Sequence, residues 1–358
     1  MSSYRMVALG TLIHQAKNIR CGSGEYPVLS MTMRDGLVFQ DEKFKKVIAS
    51  ADRSDYKVVH RNQLVIGFPI DEGVLATQRI VDEGIVSPAY GIWDIDQRKI
   101  LPEFLEYVLR CKRALSYYKA KLRGSTARRR SLPTQTLLEF DIPLPDIQEQ
   151  ELILEVLHKV KKIIANRTEE RESLNTLTKA RFVEMFYDKG YPVLGWNDVF
   201  NTTTGKLDSN AATEDGEYPF FTCSKEMLRI NKFAFDQEAL LLAGNNAAGK
   251  YDVKYYNGKF NAYQRTYVLG LKEDWSYQLF RYQLEDKLTY LQQQSLGGLT
   301  KYLTMKILGE LDFIIPPIDK QNEFENFVSQ VDKSKVAVQK ALDEAQLLFD
   351  SLMQQYFG

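Results

Sequence analysis

The sequence is poor in the residues that mark several common protein classes. It has three cysteines (Cys21, Cys111 and Cys223) among 358 residues, and none forms a Cys-x-x-Cys pair, which excludes a disulfide scaffold and a cysteine-rich zinc site. No apolar run approaches the roughly 20 residues of a membrane-spanning helix, and the polar residues 1–5 lack a secretory signal core. Its 47 basic and 47 acidic side chains cancel, so net charge does not indicate a nucleic-acid partner. We expect a cytoplasmic protein.

Catalytic signatures are also scarce. The three histidines have no zinc-protease spacing, and neither GxSxG, GxGxxG nor the Asn/Asp-Pro-Pro-aromatic tetrapeptide of amino-methyltransferases occurs. Residues 244–250 match GxxxxGK, but Tyr251 stands where a phosphate-binding loop needs Ser or Thr, and a strand pattern follows. We therefore predict no catalytic residue, no metal ligand and no cofactor bound by this chain. The 244–250 segment is either a ligand-facing loop or an ordinary surface turn.

What the sequence does contain is a long internal repeat. Residues 24–27 (Gly-Glu-Tyr-Pro) return at 216–219, and residues 122–140 align with 295–313 at a constant interval. Each copy ends in a proline-containing segment followed by a long helical pattern. The order is therefore module, helix, module, helix, with predicted bounds of 1–146, 147–190, 191–317 and 318–358.

The two helical patterns carry a narrow apolar stripe with spacings of three and four residues and contain no proline or glycine, which is typical of paired helices. Because the chain runs out along one helix and back along the other, we predict an antiparallel coiled coil with a module at each end, related by a pseudo-twofold axis. The alternative is two surface helices, each packed on its own domain. The predicted interface residues are Ile153, Val156, Val160, Ile163, Leu174, Leu177, Phe324, Phe327, Val331, Val338, Ala345, Leu348 and Leu352.

Both modules alternate strand-like runs with turn signals, and a helical pattern closes each of them, at 103–122 and at 277–294. The Asn-Gly pair in residues 256–259 predicts a hairpin. The predicted fold class is α+β, with two mixed α/β modules built on strongly curved sheets and separated by the coiled coil.

Local charge and side-chain chemistry indicate DNA contacts. Residues 110–130 include nine basic and no acidic side chains, a concentration that suits phosphate oxygens. Residues 261–265 include a Gln and an Arg, which pair with adenine and guanine in the major groove, although sheet packing is the alternative for Tyr263 and Tyr267. The predicted DNA-contacting residues are Arg110, Lys112, Arg113, Arg123, Ser125, Thr126, Arg128, Arg129, Arg130, Gln78, Arg79, Tyr90, Asn245, Asn246, Lys250, Tyr263, Gln264, Arg265, Thr300, Lys301 and Tyr302.

Over essentially its whole length, the chain resembles the specificity subunit of type I restriction-modification systems. Each motif alone is weak, but two copies in this order are specific. The matching pieces are the Gly-Ser-Thr-Ala-Arg run at 124–128, the Asp-Ile-Pro-Leu-Pro run at 141–145 with Gln148 and Gln150, the helix end 174–186, and the second-copy segments 297–303, 315–317, Gln321 and 348–357.

The resemblance implies a non-catalytic subunit in which each module is a target-recognition domain for one half of a bipartite double-stranded DNA sequence. The helices would fix the unread gap and dock two copies of a DNA adenine methyltransferase subunit that carries S-adenosylmethionine. Where restriction occurs, subunits with ATP- and Mg-dependent ATPase and nuclease activity would join. The modules differ at 77–79 and 87–90 from the Asn-rich loop and Tyr-Gln-Arg of the second copy, which implies two different half-sites.

Three other interpretations stay open on the sequence alone. The chain could be the specificity chain of another two-subunit restriction or methylation enzyme, which would have the same DNA role. It could be a coiled-coil scaffold whose modules bind proteins rather than DNA. An autonomous ATPase is the third, and Tyr251 argues against it.

Overall fold

The computed structural model describes residues 4–33, 35–43, 52–122, 132–247 and 249–358. This part of the chain forms two compact units. One comprises the described residues up to Thr168 together with Lys340–Gly358, and the other comprises Glu169–Gln339. Each unit therefore contains one globular domain, part of the first long helix and part of the second.

The elements of the first domain precede the first long helix. Its strands are β1 (Met6–Ala8), β2 (Ile13–Gln15), β3 (Leu29–Thr32), β4 (Gly36–Phe39), β5 (Lys57–His60), β6 (Leu64–Ile66), β7 (Leu75–Thr77), β8 (Glu83–Val86), β9 (Gly91–Ile95) and β10 (Asp141–Pro143). Its helices are α1 (Gln40–Lys43), α2 (Pro102–Arg110), α3 (Lys112–Lys121) and α4 (Thr134–Leu138), and the long helix that follows is α5 (Ile147–Phe186).

The second domain lies between the two long helices in sequence. Its strands are β11 (Val193–Gly195), β12 (Phe200–Thr204), β13 (Tyr218–Phe221), β14 (Leu228–Ile230), β15 (Phe235–Ala243), β16 (Asn245–Asn246), β17 (Val253–Ala262), β18 (Thr266–Leu271), β19 (Lys301–Tyr302) and β20 (Asp312–Ile314). Its helices are α6 (Trp196–Val199), α7 (Tyr277–Asp286), α8 (Leu288–Gln294) and α9 (Met305–Leu308), and the second long helix is α10 (Ile318–Phe357).

Both domains share the same antiparallel core of four strands. The order β2-β9-β6-β7 in the first domain corresponds to β12-β18-β15-β17 in the second, which β13 extends in parallel to β17 and β14 then continues. A separate two-stranded ladder, β1 with β10 and β11 with β20, also occurs in each. The internal repeat predicted from the sequence is therefore present in the backbone topology, and the predicted α+β class is confirmed.

The helix that follows the core strands packs its apolar face on the sheet in each domain. Phe104 and Val108 of α2 are fully buried beside Leu64 of β6, and Phe280 of α7 is fully buried beside Leu240 of β15. Burying one such side chain stabilises the fold by about 1.5–3 kcal/mol. These two clusters are the main cores of the domains.

The local predictions inside the domains were partly wrong. Each closing helix is interrupted. In the first domain, the extended backbone of Cys111 ends α2, and the Cys111 Sγ accepts from the Ala114 amide at 3.5 Å. In the second domain, the interruption is at Lys287, between α7 and α8. The hairpin expected at 256–259 does not form, because β17 runs straight through it. Gly258 takes a φ of 126° within the strand, and the chain reverses instead in the loop 244–252 between β15 and β17.

In the unit that contains the first domain, the end of α10 lies on α2 and on the first part of α5. The fully buried Phe357 ring is 5.3 Å from the Phe104 ring and 6.3 Å from the Tyr107 ring, measured between centroids. The Lys161 amine of α5 lies 4.6 Å from the Tyr107 centroid and 5.7 Å from that of Phe349. The domain thus packs on its own long helix and on the end of the other one.

In the unit that contains the second domain, the two helix segments run antiparallel. Arg181 pairs with Glu323 at 2.6 Å, and Arg171 donates to Gln339 at 2.7 Å, so residue numbers rise on one helix as they fall on the other. Phe186 in the last turn of α5 is buried in one cluster with Leu279 and Phe324. This cluster corresponds to the packing of Phe357 in the other unit, and the predicted antiparallel pairing is confirmed within each unit.

The heptad phase of the buried stripe differs from the predicted one on α5. Ile153 and Val160 are buried as expected, but Val156, Ile163 and Leu177 are 37%, 47% and 47% exposed. Each exposed residue is followed by a more buried one, in turn Leu157, Ile164 and Thr178. Apolar residues flank the stripe on both sides, so the sequence fits a spacing of three and then four residues as well as one of four and then three. The buried residues Ile153, Leu157 and Val160 follow the spacing of four and then three.

The same shift occurs near the end of α10. Phe324, Val331, Val338 and Ala345 are buried and Phe327 and Leu352 are partly buried, whereas Leu348 is 49% exposed. Phe349 turns inward in its place.

A buried glutamine fixes the start of each long helix. The Gln150 side chain accepts from the Leu101 amide at 2.8 Å and donates to the carbonyls of Lys99 and Pro145 at 2.9 Å each. Gln321 makes the equivalent bonds, accepting from the Ser276 amide at 3.0 Å and donating to the Pro316 carbonyl at 2.8 Å. Each glutamine joins the turn before its long helix to the segment that begins the helix closing the domain.

We predict that Gln150→Met leaves these three backbone groups without a partner at nearly unchanged side-chain volume. Buried unsatisfied groups cost about 1–3 kcal/mol each, so the Leu101 amide should exchange with solvent roughly 30-fold faster or more. The matched control is Gln148→Met, since Gln148 is exposed two residues earlier on the same helix. Equal hydrogen exchange at Leu101 in the two variants would contradict the assigned role.

Candidate nucleic-acid interface

Three segments of the second domain meet at one end of its sheet: the loop 244–250, the turn 263–265 and the hairpin 296–302. The Gly244 amide donates to the Arg265 carbonyl at 2.8 Å, and the Leu303 amide donates to the Gly244 carbonyl at 2.8 Å. Strand β16 pairs with β19, which places Asn245 opposite Tyr302 and Asn246 opposite Lys301. The structure therefore brings together residues that the sequence could place only on separate segments.

Glycine is required where these backbones approach. A Cβ atom on Gly244 would lie 2.4 Å from the Arg265 carbonyl oxygen, closer than any real contact. Gly297 has a φ of 101°, and its Cβ would lie 2.2 Å from the Thr300 carbonyl oxygen. The absence of a side chain lets the loop approach the turn at Gly244 and lets the hairpin close on itself at Gly297.

The polar side chains of this surface are amides, hydroxyls and cations. The exposed members are Lys250, Gln264, Arg265, Thr300 and Tyr302, and the partly exposed members are Asn245, Asn246, Tyr263 and Lys301. The three segments contain no Asp or Glu. Such a surface combines phosphate-binding cations with side chains that can pair with base edges.

Some of these groups already have partners within the domain. The Gln264 amide donates to the Asp208 carboxylate at 3.3 Å, a long bond between exposed groups. The Asn246 side-chain oxygen accepts from the Lys250 amide at 3.3 Å, which orders the loop.

Two tyrosines have structural roles instead. The Tyr267 hydroxyl donates to the Leu303 carbonyl at 3.1 Å, and burial raises the pKa of this side chain. Tyr251 is buried in the main core of the domain. A strand rather than a helix follows it, so the GxxxxGK match is the loop of a hairpin and not a phosphate-binding helix entry.

The corresponding surface of the first domain is built differently. The loop after β6, residues 67–73, occupies the place of 244–250, and residues 87–90 before β9 occupy the place of 263–265. Phe68, which is 58% exposed, and the partly buried Tyr90 line one cleft with Lys57, whose amine donates to the Tyr90 carbonyl at 2.7 Å. Tyr90 is one of the residues predicted from the sequence, whereas Phe68 and Lys57, which line the same cleft, are not among them.

Gln78 and Arg113, which the sequence predicted to contact DNA, bind backbone groups of the protein instead. Gln78 is fully buried, and its side chain bonds the backbone of Ile80 and Val81. Arg113 donates to the carbonyls of Phe357 at 3.2 Å and Asp141 at 2.9 Å. Both side chains therefore act in packing and are not available to DNA.

Arg79 and Arg110 belong to an ion network on α2. Arg79 pairs with Glu103 at 2.8 Å and with Glu106 at 3.7 Å, and Arg110 pairs with Glu106 at 3.2 Å. Burial raises the pKa of Glu103, but the hydrogen bond from His158 and the charge of Arg79 outweigh it, so the pKa lies below its usual value. These two arginines are paired with carboxylates within the domain.

The remaining predicted DNA-contacting residues of this strip divide into two groups. Lys112 is exposed at the start of α3. Arg123, Ser125, Thr126, Arg128, Arg129 and Arg130 lie outside the described residues.

The comparisons with known proteins bear on the chain as a whole. The family model for the type I restriction modification DNA specificity domain matches twice, over residues 14–176 and 190–345. The chain belongs to this family. In type I systems, the specificity subunit is not catalytic, and catalysis lies in other subunits.

The chain is similar to a curated relative in part of its sequence and to two solved structures in its fold. The type I restriction enzyme EcoDI specificity subunit of Escherichia coli is 36% identical over 150 residues, which are 40% of this chain and 32% of that protein. The match thus spans about a third of the relative's length. The S subunit from M. genitalium has a TM-score of 0.60 at 15% identity and covers 99% of this chain and 96% of its own.

A chain from a study of complex assembly and conformational transition of the type I restriction-modification system has a TM-score of 0.58 at 15% identity, covering 99% of this chain and 97% of its own. At this identity, both likenesses establish the fold. Across the described ranges, no helix has the length and apolarity to cross a membrane. Nor do the described His, Cys, Asp and Glu side chains form a group of three or more that could hold a metal ion.

We predict that Gly244→Ala disrupts the junction of loop, turn and hairpin, since its Cβ would clash with a backbone oxygen. Strain of this kind costs about 1–3 kcal/mol, so the Leu303 amide should lose protection from hydrogen exchange. Gly298→Ala is the control, because its Cβ would have no neighbour within 4 Å. Unchanged protection of Leu303 in Gly244→Ala would show that the close approach is not needed.

Proposed function

We propose that this chain is the sequence-specific double-stranded DNA recognition subunit of a type I restriction-modification complex. The domain of residues 1–146 and that of residues 191–317 would each recognise one half of a bipartite target. The observation that carries the proposal is the meeting of cations and amide side chains, without carboxylates, on the three convergent segments of the second domain. The twofold match to the specificity-domain family supports it.

The two domains would recognise different half-sites. They share a strand order, but the loop of the second domain carries Asn245 and Asn246 where the first carries Phe68 in a Gly-Phe-Pro sequence. Base recognition depends on the side chains that reach the grooves. Unlike loops on a common core therefore support an asymmetric target.

Lys112, Lys250, Thr300 and Lys301 would bind phosphates, and Asn245, Asn246, Tyr263, Gln264, Arg265 and Tyr302 would approach base edges. Tyr90 has the corresponding position in the first domain. For Arg123, Ser125, Thr126, Arg128, Arg129 and Arg130, phosphate contact stays a prediction from their charge and sequence.

The long helices would set the unread gap and dock two copies of a DNA adenine methyltransferase subunit. Helices α5 and α10 have 40 residues each, or about 60 Å of helix. S-adenosylmethionine would be bound by the methyltransferase, and ATP and Mg by restriction subunits where they join. Such a complex acts on cellular DNA, so we place it in the cytoplasm.

A specific pair of exposed side chains supports two docking points. Leu177 and Leu348 stand 171 residues apart, at the repeat interval, and are 47% and 49% exposed. One lies in each unit. An exposed leucine at the same place in both copies fits a partner that binds twice.

A second candidate is the specificity chain of another two-subunit restriction or methylation enzyme. The same surface favours it, because its DNA role would be identical. Co-purification distinguishes the two, since a type I complex contains separate methyltransferase subunits.

We predict that Gln264→Ala and Arg265→Ala relax recognition at one half-site and leave the other unchanged. Each bidentate base contact discriminates by about 1–3 kcal/mol. The measurement is sequencing of the adenines that the assembled complex methylates. Lys272→Ala, an exposed cation of the same domain outside the three segments, is the control. A change at both half-sites, or at neither, would rule out the assignment.

We also predict that Leu177→Lys and Leu348→Lys each remove one methyltransferase copy, because a buried unpaired charge opposes docking. Native mass spectrometry of the purified complex would show one partner copy in either single variant and none in the double variant. Asn166→Lys adds the same charge at another exposed position of α5 and should retain both copies. Two copies bound to the double variant would refute these docking points.

A further inference from the structure

One apolar side chain projects from the candidate DNA surface of the second domain. Leu299 is 95% exposed, while the other exposed large apolar side chains of the described residues reach 71% at most. It lies at the tip of the hairpin 296–302, between two glycines and Thr300. Because the Leu299 side chain is not buried by folding, the free energy of burying it is available for binding a ligand.

The hairpin that carries Leu299 is firmly attached at its base. Leu296 and Tyr302 exchange two backbone hydrogen bonds, of 3.1 and 2.9 Å. Beyond Tyr302, the Leu303 amide is bound by Gly244 and its carbonyl by the Tyr267 hydroxyl. The hairpin is therefore ordered before a ligand binds to its tip, so binding there loses little conformational entropy.

The charges around the hairpin tip favour DNA as the ligand that contacts Leu299. Lys301 lies on the hairpin, and its side-chain stem would contact a Cβ on Gly249 at 3.4 Å, which places it against the loop that carries Lys250. The three segments carry cations and no carboxylate. A hydrophobic protein surface does not require this flanking charge, whereas phosphates on both sides of a groove do.

We propose that Leu299 is a wedge that inserts against a base-pair step of the half-site and partly unstacks it. Leucine is one of the apolar residues that serve this purpose in DNA-bending proteins, where the cations beside the wedge bind the flanking phosphates. The inference rests on the proposed function and adds to it a residue that acts on DNA shape. A wedge of this kind confers preference for easily unstacked steps such as TA and CA.

The test uses the full chain assembled with its methyltransferase subunits. Methylation mapping first defines the half-site that Gln264→Ala alters. Duplexes are then made in which 2-aminopurine replaces one purine at a time across that half-site and its flanks, excluding the methylated adenine and its neighbours. Unstacking raises 2-aminopurine fluorescence, so a rise at one step beside the phosphate contacts is expected on binding.

The variants separate the wedge from general loss of binding. Leu299→Ala should abolish the fluorescence rise at that step and weaken affinity about tenfold, with the thermal unfolding midpoint unchanged because the side chain is exposed. Leu299→Met retains an apolar wedge and should keep most of the rise. Leu296→Ala truncates a half-exposed leucine at the base of the same hairpin and should keep it as well.

The outcomes distinguish this inference from the proposed function. Salt-sensitive binding without a fluorescence rise at any step, or a rise that persists in Leu299→Ala, would overturn the wedge and leave the recognition role standing. Failure of the wild-type complex to bind any duplex would overturn both. A rise that is lost in Leu299→Ala and kept in Leu299→Met would support the wedge.

Discussion

In each unit, one phenylalanine in the last turn of a long helix is buried on a globular domain, and the arrangement of the chain depends on this contact. Phe357 packs on α2 of the first domain, and Phe186 packs beside α7 of the second. Truncating a buried phenylalanine costs about 3–5 kcal/mol. Each contact joins the end of one long helix to the domain that directly precedes the other long helix. Each domain is therefore fixed to both copies of the repeat.

The division between core and surface follows from that constraint. The four-stranded core has the same order in both domains, and the buried glutamines Gln150 and Gln321 attach it to the helices in the same way. The loops at the end of the sheet take little part in attaching the core to the helices. They can differ between the domains without changing the packing of the helices, which is consistent with the proposal that the two domains recognise unlike half-sites.

Much of the architecture could be predicted from the sequence because it is encoded by periodicity and by proline and glycine positions. The repeat and the two long helices were of this kind. The heptad phase was not, because apolar residues flank the stripe on both sides and burial alone decides between Val156 and Leu157. The Asn-Gly pair at 257–258 failed as a hairpin signal because Gly258 fits within a strand.

The candidate site was less predictable, since residue type does not reveal what a side chain touches. Arg113 and Gln78 carry the chemistry of DNA contacts but bind backbone groups inside the first domain. The loop of the second domain was found from its Asn and Gly residues, but its meeting with Arg265 and the hairpin is a tertiary fact. The exposure of Phe68 was not predicted, because an isolated aromatic residue is usually buried.

In the proposed function, the helix pair connects two DNA-recognition domains and sets the distance between the half-sites that they recognise. The direct measurement is a methylation map of the assembled complex after four helical residues are inserted in α5 near Arg167, with Arg167→Ala as the control of unchanged length. The account predicts that both half-sites keep their bases while the number of unread base pairs between them changes. An unchanged gap at full activity would contradict it.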